Sequence, residues 1–295
     1  MSIFKGAGTA MATPMNADGS INFDALEKMT DDQIAGGIDA LIVCGTSGEA
    51  PTLDDDEHIE AIAVVAARAA GRVPVIAGTG SNNTAHACMM SERARSVGAD
   101  ACLLVAPYYN KATQAGLIES FSKIADAAEI PCILYNVPSR TSTNILPETA
   151  AYLGRHCENI VAIKEASGDI SQIAKCKELS GDDLDLYSGN DDQTVPIMSL
   201  GGIGVISVLS NVAPRYTHDM TQACLDGDYA KASEMQLKCL ELVRSLFCEV
   251  NPIPVKAALN MLGYDAGIPR LPLTEMTEKN QERLKKAMIE LGCLS

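Results

Sequence analysis

The chain has 295 residues, 47% of them hydrophobic and 21% charged, which suffices for one large core or two small ones. A net charge of −15 argues against a nucleic-acid or anionic-membrane surface, because both partners are themselves negative. With no tryptophan and 4% aromatic residues, the core is expected to be aliphatic and rich in methionine.

Short apolar runs recur along the chain at fairly even spacing. They are residues 8–14 ("GTAMATP"), 40–44 ("ALIVC"), 73–77 ("VPVIA"), 101–106 ("ACLLVA"), 132–135 ("CILY"), 160–164 ("IVAIK"), 184–188 ("LDLYS") and 203–208 ("IGVISV"). Most are separated by polar segments of helical period. In "DEHIEAIAVVAARAAG", for example, Ile59, Ile62, Val65 and Ala66 share a face and Gly71 reads as the stop. Continuous rather than alternating apolar strands indicate a parallel sheet covered on both faces. Strands alternating with helices give the α/β class. Eight such units match a (β/α)8 TIM barrel. A doubly wound sheet would want a glycine-rich nucleotide loop after the first strand, and "ATPMNADGS" is not one. After Pro214 the segments are helical by period; in the last, Leu284, Ala287, Met288 and Leu291 share a face. The expected organisation is a catalytic barrel over residues 1–225 and a C-terminal helical appendage over 226–295.

Ten cysteines and four histidines are present. No Cys-x-x-Cys pair and no His-Glu-x-x-His spacing occurs, so no metal site is expected. Several cysteines sit inside apolar runs, where a free thiol acts as a small hydrophobe. Reduced buried thiols point to the cytoplasm. The N-terminus "MSIFKGAGTAMATPM" lacks the long apolar core of a signal peptide, and no apolar stretch approaches the ~20 residues of a membrane span.

Barrel chemistry lies at the C-terminal ends of the strands. Those ends read "GTSGEA", "PYYNK", "YNVPSRT", "KEASGD", "SGND" and "VISVLSN". Lys164 ends an apolar strand, and desolvation disfavours an ammonium there, holding the amine toward its nucleophilic form. Its alternatives are to reach water or to pair with Glu165, although successive strand residues point to opposite faces. Tyr135 ends the neighbouring strand and suits a proton shuttle, or else is a core tyrosine. Of Tyr108 and Tyr109, at most one should face a given pocket. Thr46 and Ser47, flanked by Gly45 and Gly48, can offer hydroxyls and N–H groups to an anion, or form an ordinary capped turn. Arg140 can clamp a carboxylate or make a weak surface ion pair.

In order, "GTSGEAPTLDDDEH", "AGTGSNNT", "PYYNKATQAGL", "YNVPSRT", "IKEASGD", "YSGND" and "GGIGVISVLSNVAP" closely resemble the dihydrodipicolinate synthase family over the whole chain. Its superfamily includes N-acetylneuraminate lyase and other pyruvate-dependent class I aldolases. The resemblance implies a lyase of the diaminopimelate and lysine pathway, condensing pyruvate with L-aspartate 4-semialdehyde without a cofactor beyond the covalent lysine–pyruvate imine. Lys164 matches the imine-forming lysine. Tyr135, Thr46 and Tyr109 match a proton relay, with Tyr109 reaching across from a neighbouring subunit of a homotetramer built as a dimer of dimers. Thr46 and Ser47 match the positions that hold the pyruvate carboxylate, and Gly189 and Ile206 match backbone positions lining its pocket. Arg140 matches the residue that meets the semialdehyde carboxylate, and the sialic-acid lyase branch typically lacks it. Ser47 replaces the commoner threonine and keeps its hydroxyl.

Positions matching a lysine effector site are Ala50, Asp55, His58, Asn82, His86 and Tyr108. Where lysine-sensitive members carry a glutamate, this chain has His86, which supplies no fixed negative charge. Weak or absent inhibition by lysine is therefore expected. Two other readings stand beside the synthase: a sister pyruvate aldolase, and a non-catalytic sensor, which would have no need of Lys164, Tyr135 and Thr46 together.

Overall fold

The structure is a computed structural model that describes residues 2–294. Eight parallel strands run β1 Gly6–Ala10, β2 Ala40–Val43, β3 Val75–Gly78, β4 Ala101–Val105, β5 Cys132–Asn136, β6 Ile160–Glu165, β7 Asp185–Ser188 and β8 Gly204–Ser207. Each pairs with the next, and β8 pairs back onto β1, closing the barrel. Helices α1 Phe23–Ala35, α2 Asp55–Ala69, α3 Thr84–Ser96, α4 Gln114–Ala128, the short α5 Pro138–Thr141, α6 Pro147–His156, α7 Ile170–Ser180, α8 Thr194–Ser199 and α9 Pro214–Leu225 lie between or after the strands. Three more follow: α10 Tyr229–Leu246, α11 Ile253–Met261 and α12 Glu278–Leu291. Of these, α10 packs on α8 and α9, and α12 packs on α10 and α11. The expected (β/α)8 barrel with appended C-terminal helices is the observed architecture.

The unbroken apolar runs follow from this geometry. One set of alternate strand residues, Ile42, Ile76, Leu103, Ile133 and Ile206 among them, fills the barrel interior. The other set meets the helices: Leu41, Val43, Val75 and Val205 in one cluster, Leu104, Leu134, Ile163 and Leu186 in another. Strands buried on both faces leave no position for a polar alternation. Phe4, just before β1, stacks on Tyr187 at 4.4 Å between ring centroids, and the Tyr187 hydroxyl donates to the Phe4 carbonyl at 2.6 Å. All ten cysteines are free thiols, six of them buried, and Cys102 and Cys132 are register partners on β4 and β5.

Strand ends shift by one or two residues from the sequence reading at most strands, and two boundaries differ for a clear reason. The first strand is Gly6–Ala10 rather than 8–14. The chain turns away after Ala10, and Met15 donates instead to the Ala266 carbonyl near the C-terminus at 3.0 Å. Helix α2 starts on a capping box between Asp54 and Glu57 and ends at Ala69. Its stop is Ala70, in the left-handed region at φ 48°, one residue before Gly71. The face of α12 is as read, with Leu284, Ala287 and Met288 buried.

Closure of the barrel depends on a backbone approach that only glycine permits. A Cβ at Gly204 would stand 2.1 Å from the Gly6 carbonyl oxygen across the β8–β1 seam. Gly204→Ala is therefore expected to lose about 1–3 kcal/mol of stability as the strands separate, measured as a lower urea midpoint against wild type.

Candidate active site

Lys164, at the end of β6, has Tyr135 of β5 and Tyr187 of β7 as its two register partners. Parallel register sends these three side chains to the same side, into the barrel mouth. Lys164 is 6% exposed, and its Nζ lies 4.3 Å from the centre of the Tyr135 ring. No carboxylate stands within salt-bridge reach of it among the described residues. Glu165 points to the outer face. It accepts from Asn136 Nδ2 at 3.0 Å, from Gln172 Nε2 at 3.2 Å and from the Ser167 N–H at 3.0 Å. Burial raises the Glu165 carboxyl above its ordinary range, against these hydrogen bonds. Of the two tyrosines, Tyr187 spends its hydroxyl on Phe4, whereas Tyr135 presents its side chain to the cavity.

The turn after β2 closes through Gly48 N–H to the Gly45 carbonyl at 3.1 Å and Glu49 N–H to the Thr46 carbonyl at 3.2 Å. Cys44 and Glu49, at its two ends, are left-handed, with φ 54° and 57°. Gly48 must be glycine, because a Cβ would meet the Cys44 backbone at 2.9 Å; at Gly45 a Cβ would find nothing nearer than 3.9 Å. Ser47 is 1% exposed, with its Oγ accepting from Asn251 Nδ2 at 3.0 Å.

A cavity of about 190 Å³ gathers Thr46, Ser47, Tyr135, Arg140, Lys164 and Gly189 on one wall system, with Asn251 closing it. That size suits a ligand of a few heavy atoms. Gly189 gives Lys164 its room: a Cβ there would stand 2.6 Å from Ala166 Cβ and 3.1 Å from Lys164 Cε. Arg140 is exposed on α5, with Nη2 3.4 Å from the Asn251 carbonyl and no acidic partner among the described residues. Ile206 is buried in the barrel interior; it is Val208, two residues on, that lines the cavity.

A second cavity of about 460 Å³ shares Thr46, Tyr135, Arg140 and Asn251 with the first. Ala50, Asp55, His58, His86 and Tyr108 line it, and Asn82 does not. Asp55 Oδ1 lies 2.9 Å from His86 Nε2, and this hydrogen bond holds the Asp55 carboxyl below its usual range. Tyr108 and Tyr109 diverge on the loop after β4, so only one of them reaches this cavity. Tyr109 is 91% exposed, left-handed at φ 73°, and outside both cavities.

Three residues near the site carry no local sequence signal. Asn251 and Lys256 approach from 204 and 207 residues beyond their partners Ser47 and Glu49. Asp191 lies within "SGND", but its part is invisible there. Its Oδ2 accepts the Val208 and Leu209 N–H groups, each at 2.9 Å, and burial pushes its carboxyl up. The repeated aspartates of "NDDQT" gave no way to single it out.

Comparison with known proteins follows the same lines. Residues 3–291 match the dihydrodipicolinate synthetase family. A 4-hydroxy-tetrahydrodipicolinate synthase of Caldicellulosiruptor saccharolyticus is 56% identical over 292 residues, covering 99% of this chain and 98% of that one. Among solved structures, dihydrodipicolinate synthase of Cyanidioschyzon merolae with lysine bound superposes with a TM-score of 0.97 at 40% identity, covering all of both chains. The chloride-inhibited enzyme of Acinetobacter baumannii complexed with pyruvate gives 0.96 at 40% identity, over 98% of this chain and 99% of that one.

His58 offers a test of this region by pH. Its Nε2–H donates to the Gly78 carbonyl at 2.8 Å, and burial lowers its pKa below 6.5. The unfolded chain therefore takes up a proton more readily, and stability falls as the pH drops below 6.5. On acidification from about pH 7.5 to about 5.5, wild type is expected to lose more melting temperature than His58→Gln. Parallel curves for the two proteins would contradict this.

Proposed function

Since the chain belongs to the dihydrodipicolinate synthetase family, we propose that it is a lyase condensing pyruvate with L-aspartate 4-semialdehyde to 4-hydroxy-tetrahydrodipicolinate. The observation that carries this reading is a buried lysine with no carboxylate within salt-bridge distance among the described residues, facing a tyrosine in a cavity sized for pyruvate. The Lys164 amine attacks the pyruvate ketone, and loss of water leaves an imine. The imine draws electrons from the methyl group, which gives up a proton to become an enamine. The enamine carbon attacks the semialdehyde aldehyde, whose oxygen takes a proton. The substrate's own amino group then attacks the imine carbon and displaces Lys164, closing the ring and freeing the enzyme.

Tyr135 is the proton carrier nearest the amine, since its hydroxyl is not spent on a neighbour as that of Tyr187 is. Thr46 and Ser47 receive the pyruvate carboxylate on the turn after β2. Gly189 contributes space beside Lys164, and Ile206 backs the pocket from beneath. Arg140, exposed and without an acidic partner, receives the semialdehyde carboxylate at the mouth. Tyr109 completes the relay from a neighbouring subunit. An exposed aromatic held in a left-handed backbone is costly in an isolated chain, and this favours an assembly, read here as a dimer of dimers. No cofactor enters the scheme. Ten free thiols suit the cytoplasm.

Lys164→Ala is expected to lower turnover at least about a thousandfold while far-UV circular dichroism stays native. The assay couples formation of product from pyruvate and semialdehyde to dihydrodipicolinate reductase. Retained activity would break the scheme, and turnover of wild type on N-acetylmannosamine or glyceraldehyde instead would move the chain to a sister aldolase.

Regulation follows from the second cavity. The relative from Cyanidioschyzon merolae binds lysine. In this chain the one acidic side chain lining that region beside Glu49 is Asp55, already engaged by His86. Sub-millimolar lysine is therefore expected to leave the rate unchanged. Strong inhibition in that range would show that Asp55 still receives the ligand's ammonium.

A further inference from the structure

Two contacts reach the turn at residues 45–49 from the far end of the chain. Lys256, on α11, is completely buried and places Nζ 2.7 Å from Glu49 Oε1; it also donates to the Ile268 carbonyl at 3.1 Å. Glu49 is 3% exposed, and its other oxygen accepts the Arg270 N–H at 2.8 Å. Asn251, just before α11 and 5% exposed, donates from Nδ2 to Ser47 Oγ at 3.0 Å.

A buried ion pair is weak evidence for stability, because desolvation of both charges offsets their attraction. Its position is more informative. Glu49 sits at φ 57°, and a non-glycine residue stays in that region only where its surroundings over-determine it. The carboxylate is fixed at both oxygens, so the backbone that ends the turn is fixed with it. Asn251 acts on a proton instead. With Ser47 Oγ accepting from the amide, its hydroxyl is free to donate to a ligand in the cavity that Ser47 lines. Donation into one end of a hydroxyl strengthens donation from the other.

We propose that Lys256 and Asn251 are positioning residues for the pyruvate carboxylate: Lys256 holds the turn closed through Glu49, and Asn251 presets Ser47 as a donor. This rests on the reading of the smaller cavity as the pyruvate site. Neither side chain touches the reacting carbon or the Lys164 amine. Their loss therefore weakens pyruvate capture and spares the bond-forming steps once pyruvate is saturating.

The test is borohydride trapping of pyruvate on Lys164 across a range of pyruvate concentrations, which needs no aldehyde, together with KM and kcat in the full assay. The variants are Asn251→Ala, Asn251→Asp, and Lys256→Met paired with Glu49→Gln. The pair removes both buried charges together, since removing one alone endangers folding. Leu153→Ala, on α6 and fully buried away from the turn, serves as the control for lost stability alone. Asn251→Ala and the paired variant are expected to raise half-saturating pyruvate about tenfold, the upper end for one ordinary hydrogen bond, with kcat within about twofold of wild type. Asn251→Asp is expected to do worse, because a carboxylate attracts the Ser47 proton and repels the ligand. Leu153→Ala should melt earlier and bind pyruvate normally.

Unchanged pyruvate dependence in the two Asn251 variants, or an equal shift in Leu153→Ala, would overturn the proposal. A wild type that traps no pyruvate would overturn it together with its premise. The expected shifts in an enzyme that fails to use the semialdehyde would uphold it and reject the aldehyde assignment alone.

Discussion

A closed parallel barrel imposes a single rule on this chain: alternate residues of every strand face inward, and residues in register share a layer. The interior is too narrow for more than side chains, so each layer must be filled and nearly all of it must be apolar. Lys164 is the exception, placed in the last layer before solvent with a tyrosine on either side in register. One residue earlier or later would have turned it outward beneath the helices, where Glu165 sits among amides. The chemistry of the site therefore depends on register before it depends on any particular hydrogen bond.

The two tyrosines beside Lys164 show how environment separates identical side chains. Tyr187 is anchored to the Phe4 carbonyl, and burial raises its phenol well above the ordinary range; it is part of the barrel's packing. Tyr135 faces both cavities. The glycines divide in the same way. Gly48 and Gly189 stand where a Cβ would collide with backbone or with a neighbouring side chain, while Gly45 has space around it.

Much of this was legible in the sequence, for physical reasons. Strands buried on both faces read as unbroken apolar runs, and eight of them alternating with helical periods leave little choice of architecture. The opposite facing of Lys164 and Glu165 follows from strand geometry alone, whereas Tyr108 and Tyr109 diverge in the loop after β4, where Tyr109 is left-handed. What the sequence concealed are contacts across more than 200 residues, such as Asn251 to Ser47 and Lys256 to Glu49. A lysine in "NPIPVKAALN" looks like any helical lysine facing water, since no local period reports a counter-charge on the other side of the molecule. The first strand was misplaced for a related reason. Residues 11–14 are as apolar as the strand itself, but after Met11, whose N–H still donates to the Ile42 carbonyl, they are buried outside the strand ladder.

Those long-range contacts have a meaning in time as well as in space. During synthesis the ribosome delivers Thr46, Tyr135 and Lys164 well before β8 is available to close on β1, and Asn251 and Lys256 emerge later still. A nascent chain thus carries Thr46, Tyr135 and Lys164 while Glu49 still lacks its counterion and Ser47 its amide donor. The turn at residues 45–49 therefore gains its last contacts from the segment that emerges latest, so its final shape is set after every strand of the barrel has been made.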